Sequence, residues 1–262
     1  MRVVCAILLL VSGVCRVSAQ QPDVAKANDP LAEANAINFQ DYYQSTFYAV
    51  PDEVPLILIN AMNLRGVVVS GRHVVRATLP LMISADGDPD RRYRSGLGDL
   101  TIFDAIVLTR RNGSTQFAIG PLLVAPTATH KSLGAGKWQA GADAVIVKTT
   151  GDGNLFGGLV TAQTSFAGDR DRRITRLATF QPLSFYQIGG GYYFRSTAIS
   201  VMDFKDNRYL FPIGLGVGKV FRVGDAVGNA FFEPQVTVYA KGLVQPTVQL
   251  LLGLNLQWFK TR

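Results

Sequence analysis

Only two histidines occur in the chain, His73 and His130, so a hydrolytic site with a histidine base must use one of them. Such a base needs a nucleophilic Ser beside it and an orienting Asn or Asp behind it. His73 falls at a strand start on an apolar face, with no Ser read in register. His130 stands in a loop next to Ser132, with no orienting acid or amide nearby. The acids Asp86, Asp88 and Asp90 resemble part of a calcium loop but lack its Gly and its bidentate Glu at the right spacing. Gly151-Asp152-Gly153 and Gly214 to Gly218 could suggest phosphate loops, yet neither opens a helix. No enzyme is expected, no cofactor, and no metal beyond weak surface binding.

What remains is a set of polar and charged residues on strand-like runs: Arg76, Asp99, Asp143, Gln163, Arg195, Glu233, Gln235 and Lys241. Their neighbours along each run are apolar. Such side chains are expected to line an enclosed polar space, either as a path for solute or as paired charges filling it.

The elements that would place them are strands, and the last one sets the pattern. From Thr247 to Phe259 the even positions are Val248, Leu250, Leu252, Leu254, Leu256 and Trp258. The odd positions are mostly polar or small, including Gln249, Gly253, Asn255 and Gln257. Period-two alternation over about a dozen residues is the length of a tilted strand that crosses a bilayer. Soluble strands average only about 5–6 residues.

The first residues read as a targeting signal. Arg2 supplies positive charge, Val3 to Val14 an apolar run, and Val17-Ser18-Ala19 a small-residue cleavage site. Loss of residues 1–19 would remove both cysteines, Cys5 and Cys15, leaving no disulfide or thiolate chemistry. It would also remove Arg2 and Arg16, so 26 basic residues against 19 acids become 24 against 19, a charge of +5. The basic residues cluster in loops beside Asp (Arg91, Arg92, Arg94; Arg170, Arg172, Arg173), which excludes the aromatic-interleaved basic face of a nucleic-acid binder. No later run approaches the apolar length of a membrane helix.

Residues 20–35 read as a flexible periplasmic lead. Residues 36–262 then break into about twelve strand-like runs, among them 54–64, 72–84, 97–109, 192–202, 209–221 and 229–241. Asn112-Gly113 marks a tight hairpin, and Gly189-Gly190-Gly191 another turn. Charged loops at 85–95, 127–137, 167–173 and 203–207 alternate with these tight turns, so long and short connections fall at opposite ends. That is the pattern of an outer-membrane barrel. Six prolines (Pro55, Pro80, Pro121, Pro182, Pro212, Pro234) sit inside the runs, where each removes a ladder hydrogen bond. Asp104 shares parity with Leu100, Ile102, Ile106 and Leu108, a costly place for a carboxylate. The fold class expected is all-β: a transmembrane antiparallel up-and-down β-barrel of about 12 strands.

Four segments carry a family resemblance: Gly96-Leu97-Gly98-Asp99-Leu100; Ile119 to Thr129 followed by Leu133-Gly134-Ala135-Gly136-Lys137-Trp138; Gln181-Pro182; and Gly216 to Val220. The chain from about Asn28 onward resembles Gram-negative outer-membrane β-barrels labelled transporter or neuromedin U, related to barrels encoded with phenol-degradation genes. The resemblance implies location and architecture, with no catalytic or ligand residues to carry over. Gly253, Leu256 and Trp258 also resemble the carboxy-terminal signal read by the barrel-insertion machinery. The expected role is passive transfer of small solutes, apolar ones included. The alternative is a structural or surface-interaction barrel with no transport role. Expected partners are outer-membrane lipid, lipopolysaccharide, the insertion machinery and a small-molecule solute.

Overall fold

The computed structural model describes residues 21–48, 59–85, 93–110, 113–242 and 245–259. The expected signal segment lies outside them, as do Pro55, Asp86, Asp88, Asp90, Arg91, Arg92 and Asn112. A helix, α1 (Gln21–Asn28), precedes fifteen strands. The first five are β1 (Ala34–Tyr48), β2 (Ile59–Ser70), β3 (His73–Ala85), β4 (Tyr93–Leu97) and β5 (Leu100–Val107). Next come β6 (Thr115–Ala125), β7 (Lys137–Thr149), β8 (Leu155–Gly168), β9 (Arg176–Gly189) and β10 (Tyr192–Ser196). The last are β11 (Ser200–Asp203), β12 (Arg208–Gly214), β13 (Gly216–Val223), β14 (Ala226–Lys241) and β15 (Gln245–Phe259).

These strands form a closed antiparallel barrel of 12 walls. Three walls are broken in the middle, which reconciles fifteen strands with twelve. β4 and β5 both pair with β3; β10 and β11 both pair with β9; β12 and β13 both pair with β14. Closure comes from β15, which pairs with β14 on one side and β1 on the other. A closed ladder leaves no strand edge to satisfy, the condition for placing backbone in hydrocarbon.

The prolines explain the breaks. Pro80 faces the Gly98–Asp99 gap between β4 and β5, where the β3 ladder passes from Leu81–Leu97 to Thr78–Thr101. Pro121 lies where the β5–β6 ladder skips from Phe103–Leu122 to Ile106–Ile119. Pro182 faces the 197–199 gap, Pro234 faces Leu215, and Pro212 adjoins a register shift. Each described proline of that set therefore sits where an N–H is not asked for.

Side chains alternate as the pattern of β15 demands. Leu252, Leu254 and Trp258 are exposed on the outer wall, while Gln249, Leu251 and Gln257 are buried inside. The same outer wall carries Ile37, Phe39, Leu64, Val68, Ile102, Phe156, Val160 and Phe232. Tight turns, such as 71–72, 190–191 and 224–225, gather at one end. The segments 126–136, 169–175 and 204–207 lie at the other. Gly189, Gly190 and Gly191 all take positive φ (91°, 60° and 83°), which suits residues without a Cβ.

Two expectations need correction. The second strand, expected to end at 64, runs on to Ser70, because Gly66 and Val67 continue the ladder opposite Ile37 and Ala36; the expected start at 54–58 lies outside the described residues. The chain turns only at Gly71, φ 58°, the first central position of a two-residue hairpin. The lead is the second. Its residues 21–28 form α1, and Ala27 and Leu31 are buried in the interior core with Val69, Val74, Phe103, Val145 and Phe185. No local periodicity announces this, because the contacts that hold the segment come from distant strands.

Candidate functional site

The site is the lumen, and it is built in three levels. At the turn end, α1 and the residues after it enter the barrel. The Ala27 carbonyl accepts from Asn229 Nδ2 at 3.3 Å and from Gln257 Nε2 at 2.9 Å. Asn229 Nδ2 also donates to Asn28 Oδ1 at 3.0 Å, and Gln116 Nε2 donates to Asp29 Oδ2 at 3.2 Å. Gln116 comes from β6, far around the wall from β14 and β15, so the segment spans the lumen. Tyr193, fully buried, donates to Asn229 Oδ1 at 2.5 Å and fixes which way that amide points.

Above this plug lies a cavity of about 130 Å³. Arg65, Arg76 and Arg195 reach it, together with Phe103, Phe185, Phe231, Asn38 and Asn255. Two of the arginines sit against aromatic faces: Arg76 is 3.9 Å from the Phe103 ring centre, and Arg195 is 3.6 Å from that of Phe231 and 5.6 Å from that of Phe185.

The third level is a chain of hydrogen bonds that ends on one carboxylate. Gln44 Nε2 donates to Gln249 Oε1 (3.1 Å), Gln249 Nε2 to Gln235 Oε1 (2.7 Å), and Gln235 Nε2 to Glu233 Oε1 (3.0 Å). Arg195 Nε closes the chain from the other side, 2.7 Å from Glu233 Oε2. Thr197 lies in the gap between β10 and β11, and its orphaned backbone N–H donates to Glu233 Oε1 at 2.8 Å. Its hydroxyl donates to Glu233 Oε2, also at 2.8 Å. Arg195 and Glu233 are both buried, so each is charge-compensated where solvent cannot do it.

The sequence-derived candidates divide accordingly. Arg195, Glu233 and Gln235 meet in that network. Arg76 lines the cavity. Asp143 is buried on the inner face of β7 with neither carboxylate oxygen hydrogen-bonded, and Gln163 donates to Gln139 Oε1 at 2.9 Å. Asp99 and Lys241 stand apart from the lumen. Asp99 occupies the gap between β4 and β5, where its carboxylate accepts from Ala128 N (3.2 Å) and Ala135 N (2.7 Å). It therefore ties down the loop 126–136. Arg172 completes that tie by donating to the carbonyls of Lys131, Gly134 and Ala135. Lys241 is exposed at the loop end and donates to Asn207 Oδ1 at 3.0 Å.

The two histidines have distinct roles. His130 accepts from Ser132 N and caps the short turn 131–133. His73 is on the outer wall, with its Nδ1 2.7 Å from Asp104 Oδ2. Asp104 does face outward, and the imidazole is what accompanies it. Ser70 stands directly across the hairpin from His73, contrary to the reading that no Ser shares its register, because β2 runs on past Leu64. The described residues contain no hydrogen bond between Ser70 and His73. Arg65, Tyr193, Asn229 and Gln249 were not singled out from sequence. Arg65 lies one residue past the expected run 54–64, and its inward parity with Asn63, Val67 and Val69 is the signal that marks it.

A twelve-stranded barrel with an apolar coat and a partly plugged interior, in which a hydrophobic cluster adjoins buried polar and charged groups, defines the class. No protein-family model matches the chain, and no curated protein does. A solved structure does: an outer membrane channel from Pseudomonas putida F1, at TM-score 0.63 and 14% identity, with 87% of this chain and 96% of that chain covered. At that identity the likeness is one of fold.

Proposed function

We propose that this chain is an outer-membrane β-barrel through which small solutes, apolar ones among them, pass without energy coupling or covalent chemistry. The observation that carries the reading is the apolar coat around an interior that also holds buried charges. Large apolar side chains coat the outside, while Arg195, Glu233, Gln235 and Gln249 are buried inside beside a cavity. A soluble barrel can also hold an apolar cluster inside, but it does not coat its outside with large apolar side chains. The outer-membrane channel of similar fold supports the reading. In this scheme an amino-terminal signal exports the chain, the insertion machinery folds it into the outer membrane, and lipid and lipopolysaccharide surround it.

Fractionation and liposome swelling test the proposal together. The protein should sediment with outer membranes, migrate faster unheated than boiled, and let small solutes into liposomes. Recovery from the periplasm in soluble form removes it.

The plug at the turn end favours a second reading, a structural or surface-interaction barrel. There the exposed Arg170 and Arg173 of segment 169–175 would meet lipopolysaccharide phosphates. Charge reversal of these two that abolishes lipopolysaccharide affinity, in a protein that passes no solute, supports it over the first.

A further inference from the structure

Arg65 and Arg76 are the lumen charges that the network around Glu233 leaves unused. The β2–β3 register pairs Arg65 with Thr78 and Val67 with Arg76, so the two arginines are diagonal neighbours on the inner face. Like charges so placed repel. The Nε atoms of both are sealed from solvent and have no hydrogen-bond partner. Both side chains line the same cavity.

The carboxylates of the lumen are otherwise engaged or out of contact. Glu233 is bound by Arg195, Thr197 and Gln235. Asp29 is held by Gln116 Nε2 and by Leu31 N. Asp143 is within electrostatic range of Arg76, yet neither of its oxygens makes a hydrogen bond. Arg65 has the neutral Tyr42 hydroxyl beside it and Arg76 the more distant Asp143, but neither guanidinium has an ion pair at contact distance; two buried cations so placed are a costly arrangement that an anion would relieve. The planar fork of arginine matches a carboxylate in particular.

The rest of the cavity specifies what accompanies that charge. Phe103, Phe185, Phe231, Val67, Val74 and Leu183 line it. Its volume, about 130 Å³, holds on the order of ten waters, room for the head of a small organic acid. We infer that Arg65 and Arg76 form a binding subsite for the carboxylate of a small apolar acid, with the aromatic and aliphatic wall taking its hydrocarbon part. This rests on the channel reading for its purpose, and the subsite itself can be tested without flux.

Calorimetry on the full-length protein in detergent compares benzoate with benzamide, the neutral isostere, and benzylamine, the cationic analogue. Benzoate should bind at least about tenfold more tightly than either, the effect of one charge-assisted contact. Arg65→Gln/Arg76→Gln should lose that preference, and Arg65→Lys/Arg76→Lys should keep part of it. Equal binding of benzoate and benzamide to the unaltered protein overturns the inference even if the variants fail to fold. So does benzoate preference that survives the double glutamine change. Preferential benzoate binding with no solute flux in liposomes upholds the subsite and removes the channel. Equal flux and equal binding of benzoate and benzamide removes the subsite and leaves the channel.

Discussion

Arg195 Nε lies 2.7 Å from Glu233 Oε2 across a break in the barrel wall, and Glu233 also takes the backbone N–H of Thr197 that the break leaves over. A charge pair and a ladder defect are thus settled by one side chain. The same logic recurs at the loop end, where Asp99 sits in the gap between β4 and β5 and takes two N–H groups of the segment 126–136.

Glu233→Gln leaves Arg195 buried and uncompensated. Removal of one member of such a pair costs about 3–5 kcal/mol. The measurement is the urea midpoint of the liposome-inserted barrel, read by the mobility difference between folded and unfolded forms. A double change, Arg195→Met/Glu233→Leu, should recover much of the loss. It should remain about 1–3 kcal/mol short, because the Thr197 N–H stays unsatisfied.

Asp99→Ala should loosen the loop end and spare the barrel. Ala128 N and Ala135 N lose their acceptor, at about 1–3 kcal/mol of local stability. Hydrogen exchange should rise across residues 127–136 and stay unchanged in β14 and β15. Arg172→Ala should raise exchange in the same segment.

The outward pair of His73 and Asp104 makes a prediction of opposite sign for its two members. His73→Ala exposes an unaccompanied carboxylate on the apolar wall and should lower stability in liposomes by about 1–2 kcal/mol. Asp104→Leu removes the charge, matches the neighbouring Ile102 and Ile106, and should leave stability equal or higher. Folding yield and urea midpoint in liposomes read both.

Removal of residues 21–31 should open the turn end. Asn229, Gln257 and Gln116 lose their partners in α1 and the segment after it, and Leu31 leaves the interior core. Conductance should rise several-fold while the heat-shifted mobility of the barrel persists.

The barrel was legible because its cause is local: alternation in β15 and β14, with turn chemistry at 189–191, follows directly from which residues tolerate lipid or a turn. The same alternation puts Glu233 and Gln235 on one face. That they share a carboxylate network with Gln249 and Gln44 depends on closure of the barrel, which no single strand encodes. The plug was illegible for the same reason, since Ala27 and Leu31 matter only against strands far along the chain. Arg65 was lost to a strand boundary at Leu64. The prolines look anomalous strand by strand, and the five described ones of that set become regular once each is seen at a gap or register shift in the ladder.

Planar bilayers bathed in salt on both sides test the central idea most directly. Insertion of the purified, heat-modifiable barrel is expected to produce discrete conductance steps that grow when residues 21–31 are removed. A membrane that holds the folded barrel and stays silent, with and without that segment, would contradict a path through the lumen.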